Sequence, residues 1–571
     1  MTRTWLNLAL LAPALLFLGA FFVAPVLGFI VQGFAGPDGQ ATLEQAERLF
    51  TAGAYLRVLG NSFVIALWTT LATLVIGYPV AYVLATLDRR RRGYWALFVL
   101  LPFWSSFLVR CFAWIVLLGR NGPLNDLLVS AGLAAGPREL LYGPVAVVVG
   151  MANVLTPFAI LTMLGVLEGI SPQLARAAGT LGARPVQAFF RIYLPLSLPG
   201  IAAAGLLVFV TALGFFIAPA LLGSVRETMI AQLIIQQVLE LTNWPFAAML
   251  CLALLIAALG VFLLYDRIVG LSSLAGGTAR RQGNGRLGRA GIRLLGRIGD
   301  GLARILPGRP RPSGTAPGTR IAAILVILFL LVPLILLVPV SLGGQSFISW
   351  PPADPTLRWY GEVAASPMWL AAAGRSFLVA FLTALGCFAI AVPAGLAFMR
   401  LSGRSAAALF ALIVSPLIVP RLVVAVALFY VYARLGWVGT TLGLVIGHVV
   451  IALPFFFIAV LAVLKTYDIR LDQAAASLGA PPWTAARRIT LPLIGTGLVS
   501  AALFAFVTSL DELNVALFAS GGLISTLPKM MWDEATLRFS PVLAAVSTLV
   551  LLVMSAVVLL ALRLGSSARE S

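Results

Sequence analysis

Long apolar stretches recur along this chain, and they restrict its possible folds more than any other feature. A helix needs about 20 apolar residues to cross the roughly 30 Å of hydrocarbon in a bilayer. The 571 residues are 61% hydrophobic and only 10% charged, whereas a soluble domain has about 25% charged residues. The sequence therefore predicts an all-α polytopic membrane protein with about 12 transmembrane helices. The predicted spans are roughly 6–33, 60–87, 94–118, 141–168, 197–222, 245–269, 320–344, 373–400, 406–433, 438–465, 494–519 and 541–565.

The net charge of +19 is explained by membrane topology. Cytoplasmic loops of membrane proteins carry an excess of Lys and Arg. If the N-terminus is cytoplasmic, most of the basic residues fall on cytoplasmic segments. We therefore expect a multi-pass membrane protein with both termini in the cytoplasm, lipid around it and no nucleic-acid partner. The first apolar stretch is too long for a signal peptide, so we expect it to remain as a span.

The sequence repeats itself. The first part of the repeat has an offset of 314 residues and the later part an offset of 297, and each half holds six predicted spans in the same order. This is the pattern of a parallel repeat. It predicts a first half at 1–270, a basic cytoplasmic linker rich in Gly, Arg and Pro at 271–319, and a second half at 320–571. Matched residues include Pro79 and Pro393, Pro102 and Pro416, Pro157 and Pro454, and Gly182 and Gly479.

The linker, the three cysteines and the single histidine have simple interpretations. Leucines and isoleucines between 287 and 305 could form a basic amphipathic stretch on the inner leaflet, or the linker could be plain disordered chain. Cys111, Cys251 and Cys387 lie in apolar spans without paired spacing, and His448 is the one histidine. We expect all four to be packed core residues, with no metal site.

One motif occurs in both halves, between predicted spans 4 and 5 and between spans 10 and 11. An Ala-Ala pair is followed after four residues by Gly, and ten residues later by Ile-x-Leu-Pro. The glycine can end a short helix in a left-handed conformation, and prolines suit the start of the next one. This predicts a cytoplasmic helix, a turn, and a second helix that continues into the membrane. Small residues on such a helix suit recognition in a partner's groove.

This motif resembles the EAA motif of ATP-binding-cassette (ABC) importer permeases, whose coupling helix docks on an ATPase subunit. The resemblance implies a type I transmembrane domain of a bacterial inner membrane, with two permease halves fused in one chain. The family's opening Glu is replaced by Arg176 and Gln473. The implied ATPase-coupling residues are Arg176, Ala177, Ala178, Gly182, Ile192, Pro195, Gln473, Ala474, Ala475, Gly479, Ile489 and Pro492.

The chain itself lacks a nucleotide-binding motif. A P-loop needs a lysine directly after a glycine, and neither Lys465 nor Lys529 follows one. We therefore expect a transport subunit that is not an enzyme and binds no cofactor. ATP would be hydrolysed by a separate ATPase, expected as a homodimer, and an extracytoplasmic binding protein would deliver the substrate.

Two further stretches narrow the expected substrate. The segments 100–125 and 509–518 resemble permease subunits of spermidine/putrescine importers, which implies a small polyamine-like organic cation. The alternatives are a fused permease for iron(III) or thiamine in the same superfamily, or a twelve-helix secondary carrier. Carboxylates inside a span usually face a cavity or a partner. Asp511 and Glu512 could form a cation site with Trp104 and Trp114, or could instead pair with Arg110 or Arg421.

Overall fold

The computed structural model describes residues 2–36, 40–269, 296–298, 300–301, 317–348, 350–468, 470–521, 524–538 and 540–567. These residues form helices joined by turns, and within them the only β-type pairings are two isolated bridges. Most of the predicted linker lies outside the described residues, and so do most of its apolar positions.

The helices of the two halves follow one another in the same order. Three five-residue π-helical turns interrupt them, at Gly19–Val23, Phe189–Tyr193 and Ala486–Thr490. In the first half the helices are α1 (Thr2–Leu18), α2 (Ala24–Gln32), α3 (Glu44–Thr51), α4 (Gly53–Thr86), α5 (Arg89–Trp104), α6 (Phe107–Leu118), α7 (Pro123–Ser130), α8 (Pro144–Leu167), α9 (Pro172–Thr180), α10 (Pro185–Ala188), α11 (Leu194–Leu213), α12 (Ile217–Leu222), α13 (Ile230–Leu239) and α14 (Trp244–Val269). In the second half they are α15 (Pro317–Val340), α16 (Arg358–Ala365), α17 (Pro367–Phe398), α18 (Gly403–Val414), α19 (Arg421–Leu435), α20 (Thr441–Leu464), α21 (Arg470–Ser477), α22 (Pro482–Ala485), α23 (Leu491–Leu510), α24 (Asn514–Ala519), α25 (Leu527–Leu537) and α26 (Pro541–Ser567).

The structure confirms the all-α polytopic fold and refines the predicted spans. Ten helical segments of the described chain are long and apolar enough to cross a membrane. The predicted span 406–433 is instead a pair of helices bent by 89°, with Pro416 and Pro420 at the break. The predicted span 94–118 is likewise interrupted at Ser105 and Ser106, three residues after Pro102. Proline lacks the N–H that would continue a helix, which explains both breaks.

Each half is built around three mutually packed helices, α4, α8 and α11 in the first and α17, α20 and α23 in the second. The matched core positions Met151 and His448 make different polar contacts in the two halves. In the first, Thr69 Oγ1 lies 3.9 Å from Met151 Sδ. In the second, His448 Nδ1 lies 2.7 Å from Ser509 Oγ, and His448 is 2% exposed. The histidine is therefore a packed core residue, as are the three buried cysteines.

The two halves exchange their first spans. Helix α1 packs against α17 and α2 packs against α19, whereas α15 packs against α4, α5 and α6. Aromatic pairs join these surfaces, including Phe21 with Trp437 at 6.2 Å between ring centroids and Trp114 with Phe329 at 5.5 Å. The sequence halves 1–270 and 320–571 are thus not separate packing units, because each contributes a helix to the other.

This exchange predicts that the halves stay together when the linker is cut. In a Phe21→Cys, Trp437→Cys double variant, a short bismaleimide should join the two halves, because these side chains are in contact and the native cysteines are buried. After trypsin cleaves the arginine-rich linker, denaturing gels should still show one full-length band. The Phe21→Cys single variant should separate into two fragments, and separation of the double variant would contradict the exchange.

Candidate functional site

The two motif segments have the predicted helix-turn-helix geometry. In the first, α9 starts after Ser171, whose Oγ accepts from the Gln173 N–H at 3.3 Å. The turns contain Gly182 at φ +85° and Gly479 at φ +83°. A Cβ at either glycine would meet no atom of the chain within 4 Å. Glycine is therefore required there by backbone conformation and not by crowding within the chain.

The Leu-Pro end of the motif produces a π-helical turn in each half. Pro195 and Pro492 have no N–H to donate to the carbonyl four residues back. The helix widens instead, so that the Leu194 N–H bonds the carbonyl of Phe189 and the Leu491 N–H bonds that of Ala486. Such single π turns commonly occur at functional sites. The proline thus joins the short second helix to a continuous span without a break.

Each first helix of the motif turns alanine inward and leucine outward. Ala178 and Ala475 are each 7% exposed, whereas Leu181 and Leu478 are 89% and 88% exposed. Arg176 and Gln473, at the position of the family's Glu, are exposed. We call the exposed apolar side chains of each segment its coupling surface. The first coupling surface consists of Leu174 and Leu181, and the second consists of Leu471, Leu478 and Trp483.

An aspartate stabilises each motif segment through hydrogen bonds or an ion pair, although neither segment has the family's Glu. In the second half, Asp472 Oδ1 accepts from the hydroxyls of Tyr467 at 2.7 Å and Thr490 at 2.9 Å, which ties α21 to the π turn. In the first half the aspartate comes from the linker. Asp300 accepts from Gln187 Nε2 at 3.1 Å and pairs with Arg191 Nη2 at 2.5 Å.

Two cavities lie where the halves meet, and they share four lining residues. The first, which we call the acidic cavity, is a partly open pocket with about 420 Å³ of empty space, part of which is open to solvent. It is lined by six aromatic residues, one carboxylate and one guanidinium. Its aromatic rings form a chain of contacts through Phe504. The ring centroid of Phe504 lies 5.3 Å from that of Trp104 and 5.4 Å from that of Phe455. The lining residues are Phe103, Trp104, Phe107, Phe158, Arg421, Phe455, Phe504, Val507, Thr508 and Asp511. The second cavity is lined by the four shared residues Phe107, Phe158, Arg421 and Phe455 and mainly by aliphatic side chains such as Leu207, Val210 and Leu417.

Asp511 connects the two halves at this cavity. It directly follows α23, and its Oδ1 accepts from the N–H of Phe107 at 3.2 Å. Phe107 is the first residue of α6 in the other half, so the carboxylate satisfies a free N–H at a helix N-terminus. The hydroxyl of Ser106 is a further hydrogen-bond partner. Trp104, Arg421 and Asp511 are therefore the three predicted path residues that line this cavity together.

Glu512 has a different environment and supports the pairing alternative. It is 1% exposed, and its Oε1 accepts from the N–H groups of Asn514 at 2.8 Å and Val515 at 3.2 Å. Its Oε2 lies 3.7 Å from Arg421 Nη1. Glu512 thus caps α24 and neutralises Arg421, and it does not line either cavity. Arg421 lines both cavities.

Arg110 and Trp114 were also predicted to line the substrate path, but neither lines either of these two cavities. Arg110 is fully buried, and its Nη1 donates to the carbonyls of Asn153 at 3.2 Å and Val154 at 3.1 Å. Pro157 cannot donate to the carbonyl of Asn153, so the guanidinium supplies the missing donor. Trp114 packs on Phe329 instead.

The family model described as "Binding-protein-dependent transport system inner membrane component" matches residues 77–269 and again 388–565. The chain belongs to this family. Two copies of the model confirm the fused repeat and exclude the secondary carrier as an interpretation.

Individual relatives of this permease each correspond to about half of it. The spermidine/putrescine transport system permease protein PotB of Haemophilus influenzae is 34% identical over 43% of the chain and 88% of its own length. PotB of Escherichia coli is 34% identical over 46% of the chain and 93% of its own length. The structure of a bacterial ABC transporter for alginate import matches 47% of the chain and 95% of its own, at 23% identity and a TM-score of 0.38.

The sequence analysis did not identify most of the aromatic residues that line the two cavities. Phe158 and Phe455 directly follow the matched prolines Pro157 and Pro454, and both line both cavities. An aromatic residue kept beside a helix-breaking proline in both repeats was the available signal. Phe103, Phe107 and Phe504 offered no such signal, because their repeat partners are not aromatic.

The contact of Arg110 with α8 predicts a stability effect. Arg110→Met should lower the free energy of unfolding of the permease by about 1–3 kcal/mol, because a buried carbonyl loses its donor. Thermal unfolding in detergent would measure the change. Val424→Met, at the matched and equally buried position of the second half, serves as the control and should cost less. Equal unfolding temperatures for Arg110→Met and the unmodified chain would refute this role.

Proposed function

We propose that this chain supplies both permease halves of an ABC importer that moves a small polyamine-like organic cation across the inner membrane. Two coupling surfaces at matched positions of the repeat are the observation that carries this proposal. Each consists of a short helix with a nearly fully exposed leucine, and each is joined through a π turn to a helix of its half's core. A docked partner could therefore move both halves at once.

The proposed partner at the coupling surfaces is a dimeric ATPase, which would bind and hydrolyse ATP on behalf of the permease. Exposed apolar side chains of a short helix suit insertion into a groove. Docking at this face would place the motif segments and both termini in the cytoplasm, in agreement with the positive-inside rule. An extracytoplasmic binding protein would deliver the substrate at the opposite face, as the family description implies, and this chain would need no bound cofactor.

The proposed substrate class rests on the acidic cavity. A carboxylate beside a ring of aromatic faces attracts an organic ammonium group through charge and cation–π interactions. The relatives named for spermidine and putrescine support the same class. Iron(III) and thiamine remain as alternatives that direct uptake assays can separate.

Docking can be tested at the exposed leucines. The Leu181→Asp, Leu478→Asp double variant should lose co-purification with the ATPase, because a buried unpaired carboxylate is unfavourable in an apolar groove. Both leucines are surface residues, so thermal stability should change little. Leu537→Asp, an exposed leucine far along the second half, is the control and should retain the ATPase. Normal co-purification of the double variant would contradict the proposal.

Transport can be tested at the acidic cavity. With ATPase and binding protein reconstituted, ATP-driven spermidine uptake should fall roughly tenfold or more in Asp511→Asn, because a charged hydrogen-bonding partner is lost. Trp104→Ala should also reduce uptake, whereas Trp114→Phe, outside the cavity, should retain it. Uptake of thiamine or iron(III) in place of spermidine would favour the alternative cargo.

A further inference from the structure

The described part of the linker packs against the first motif segment. Residues 296–298 and 300–301 are helical, and residues four apart in a helix lie on one face. Gly296 and Asp300 share such a face. Asp300 pairs with Arg191 Nη2 at 2.5 Å, and a Cβ at Gly296 would lie 3.7 Å from Cγ of Arg191. This face of the linker is therefore in contact with the motif segment.

Asp300 bridges the two parts of the joint through which the first motif segment enters the membrane. Its Oδ1 accepts from Nε2 of Gln187, which belongs to α10, at 3.1 Å. Its Oδ2 pairs with Arg191, which belongs to the π turn. Gln187 Oε1 also accepts from the N–H of Arg184 at 3.0 Å, so α10 is held at its start as well. We call Gln187, Arg191 and Asp300 the linker contact.

This joint is the place where a force on the motif segment would bend the helix. Helices bend where their regular hydrogen bonds are interrupted, and Pro195 interrupts them here because it has no N–H. α10 has only four residues, and such a short helix is not stable by itself. A contact that spans α10 and the π turn therefore keeps the two in one orientation.

The second half bridges the equivalent joint with a residue of its own motif helix. Asp472 of α21 accepts from the hydroxyl of Thr490, in the π turn, at 2.9 Å. The repeat places Ala175 where the second half has Asp472. The first motif helix thus has no carboxylate at this position, and the linker supplies one from outside.

Asp300 is also exceptional in the charge pattern of the linker. It is the only acidic residue between Asp266 and Asp354, whereas ten arginines lie between positions 280 and 320. Such a basic stretch is attracted to the anionic inner leaflet and repelled by arginines of the motif segment. The single carboxylate gives this stretch a specific attachment to Arg191 in place of repulsion.

We propose that Asp300 is a positioning residue for ATP-driven transport. The linker contact holds α10 and the π turn in one orientation, so that a movement of the docked ATPase reaches α11 without bending the joint. This rests on the proposed function and deepens it, because it assigns to the linker a part in the transmission of movement to the first half. Loss of the contact leaves the ATPase docked and lowers the uptake obtained from each ATP.

Charge reversal tests the linker contact in the full-length permease, reconstituted in proteoliposomes with ATPase and binding protein. The measured quantity is the amount of spermidine taken up per ATP hydrolysed. Asp300→Arg should lower this ratio at least about threefold, because two like charges replace the ion pair. The Arg191→Asp, Asp300→Arg double variant should restore most of it. An unchanged ratio in Asp300→Arg, or no recovery in the double variant, would overturn the inference.

The Asp300→Arg, Arg488→Asp variant is the matched control. Arg488 has the repeat position of Arg191 but lies in the second half, so its reversal should not restore the ratio. Recovery in this variant would show that only the net charge of the cytoplasmic face matters, and would contradict the linker contact. Asp300→Arg should keep ATPase co-purification and unfolding temperature, because both partners of the ion pair are partly exposed. Loss of either would assign Asp300 to docking or folding instead.

A disulfide can replace the ion pair in the same protein. In the Arg191→Cys, Gly296→Cys variant the two side chains should be near enough to oxidise, because a disulfide joins Cβ atoms about 3.5–4.5 Å apart and a Cβ at Gly296 would lie 3.7 Å from Cγ of Arg191. The reduced protein should have a low ratio of uptake to ATP hydrolysis, and oxidation should raise it. Failure of the disulfide to form, or a low ratio after it has formed, would contradict the proposal.

The unmodified permease distinguishes failure of this inference from failure of the proposed function. If it takes up spermidine with ATP while Asp300→Arg has the same ratio, the importer assignment stands and only the role of the linker is wrong. If it takes up no spermidine with ATP, ATPase and binding protein present, the proposed function fails as well.

Discussion

Every backbone polar group of a membrane-spanning chain must find its partner within the protein, and the prolines of the repeat make this requirement difficult to meet. The structure meets it in several ways. The π turns before Leu194 and Leu491 redirect hydrogen bonds past Pro195 and Pro492. Arg110 donates to the carbonyl that Pro157 leaves free. At Pro102 and Pro416 the helices simply end, and new ones begin after a turn. These breaks create the junction in which both cavities lie.

The breaks also produce the contact between the halves. Because α6 begins anew at Phe107, its N-terminal N–H is free, and Asp511 of the other half accepts it. The carboxylate is therefore held by one half and supplied by the other. A ligand that draws on this carboxylate would act on the contact between the halves, which is the contact that an alternating-access cycle must change. Asp511 would then take part both in binding the ligand and in the movement of the halves.

Much of this architecture can be predicted from residue patterns, but contacts between distant segments cannot. Hydrophobic length predicts the spans, and the spacing around Gly182 and Gly479 predicts the coupling helices, because both depend on local chain geometry. The exchange of α1–α2 and α15 depends on packing between distant segments, which no periodicity encodes. The different environments of Glu512 and Asp511 could not be predicted from the sequence either. They are adjacent carboxylates in sequence, yet one caps α24 inside the protein and the other reaches a cavity, because the chain turns between them.

Fusion of the two halves gives a physical reason for their asymmetry. In one polypeptide every junction contains one copy of each half, and matched positions are free to diverge. The second half has Asp511 where the first half has Gly214. Asp472 stabilises the second motif segment from its own helix, whereas Asp300 stabilises the first from the linker. The linker therefore does more than connect the two halves, because its Asp300 stabilises the first motif segment. It makes the two coupling surfaces different, so the two subunits of an ATPase would meet different supports on this chain.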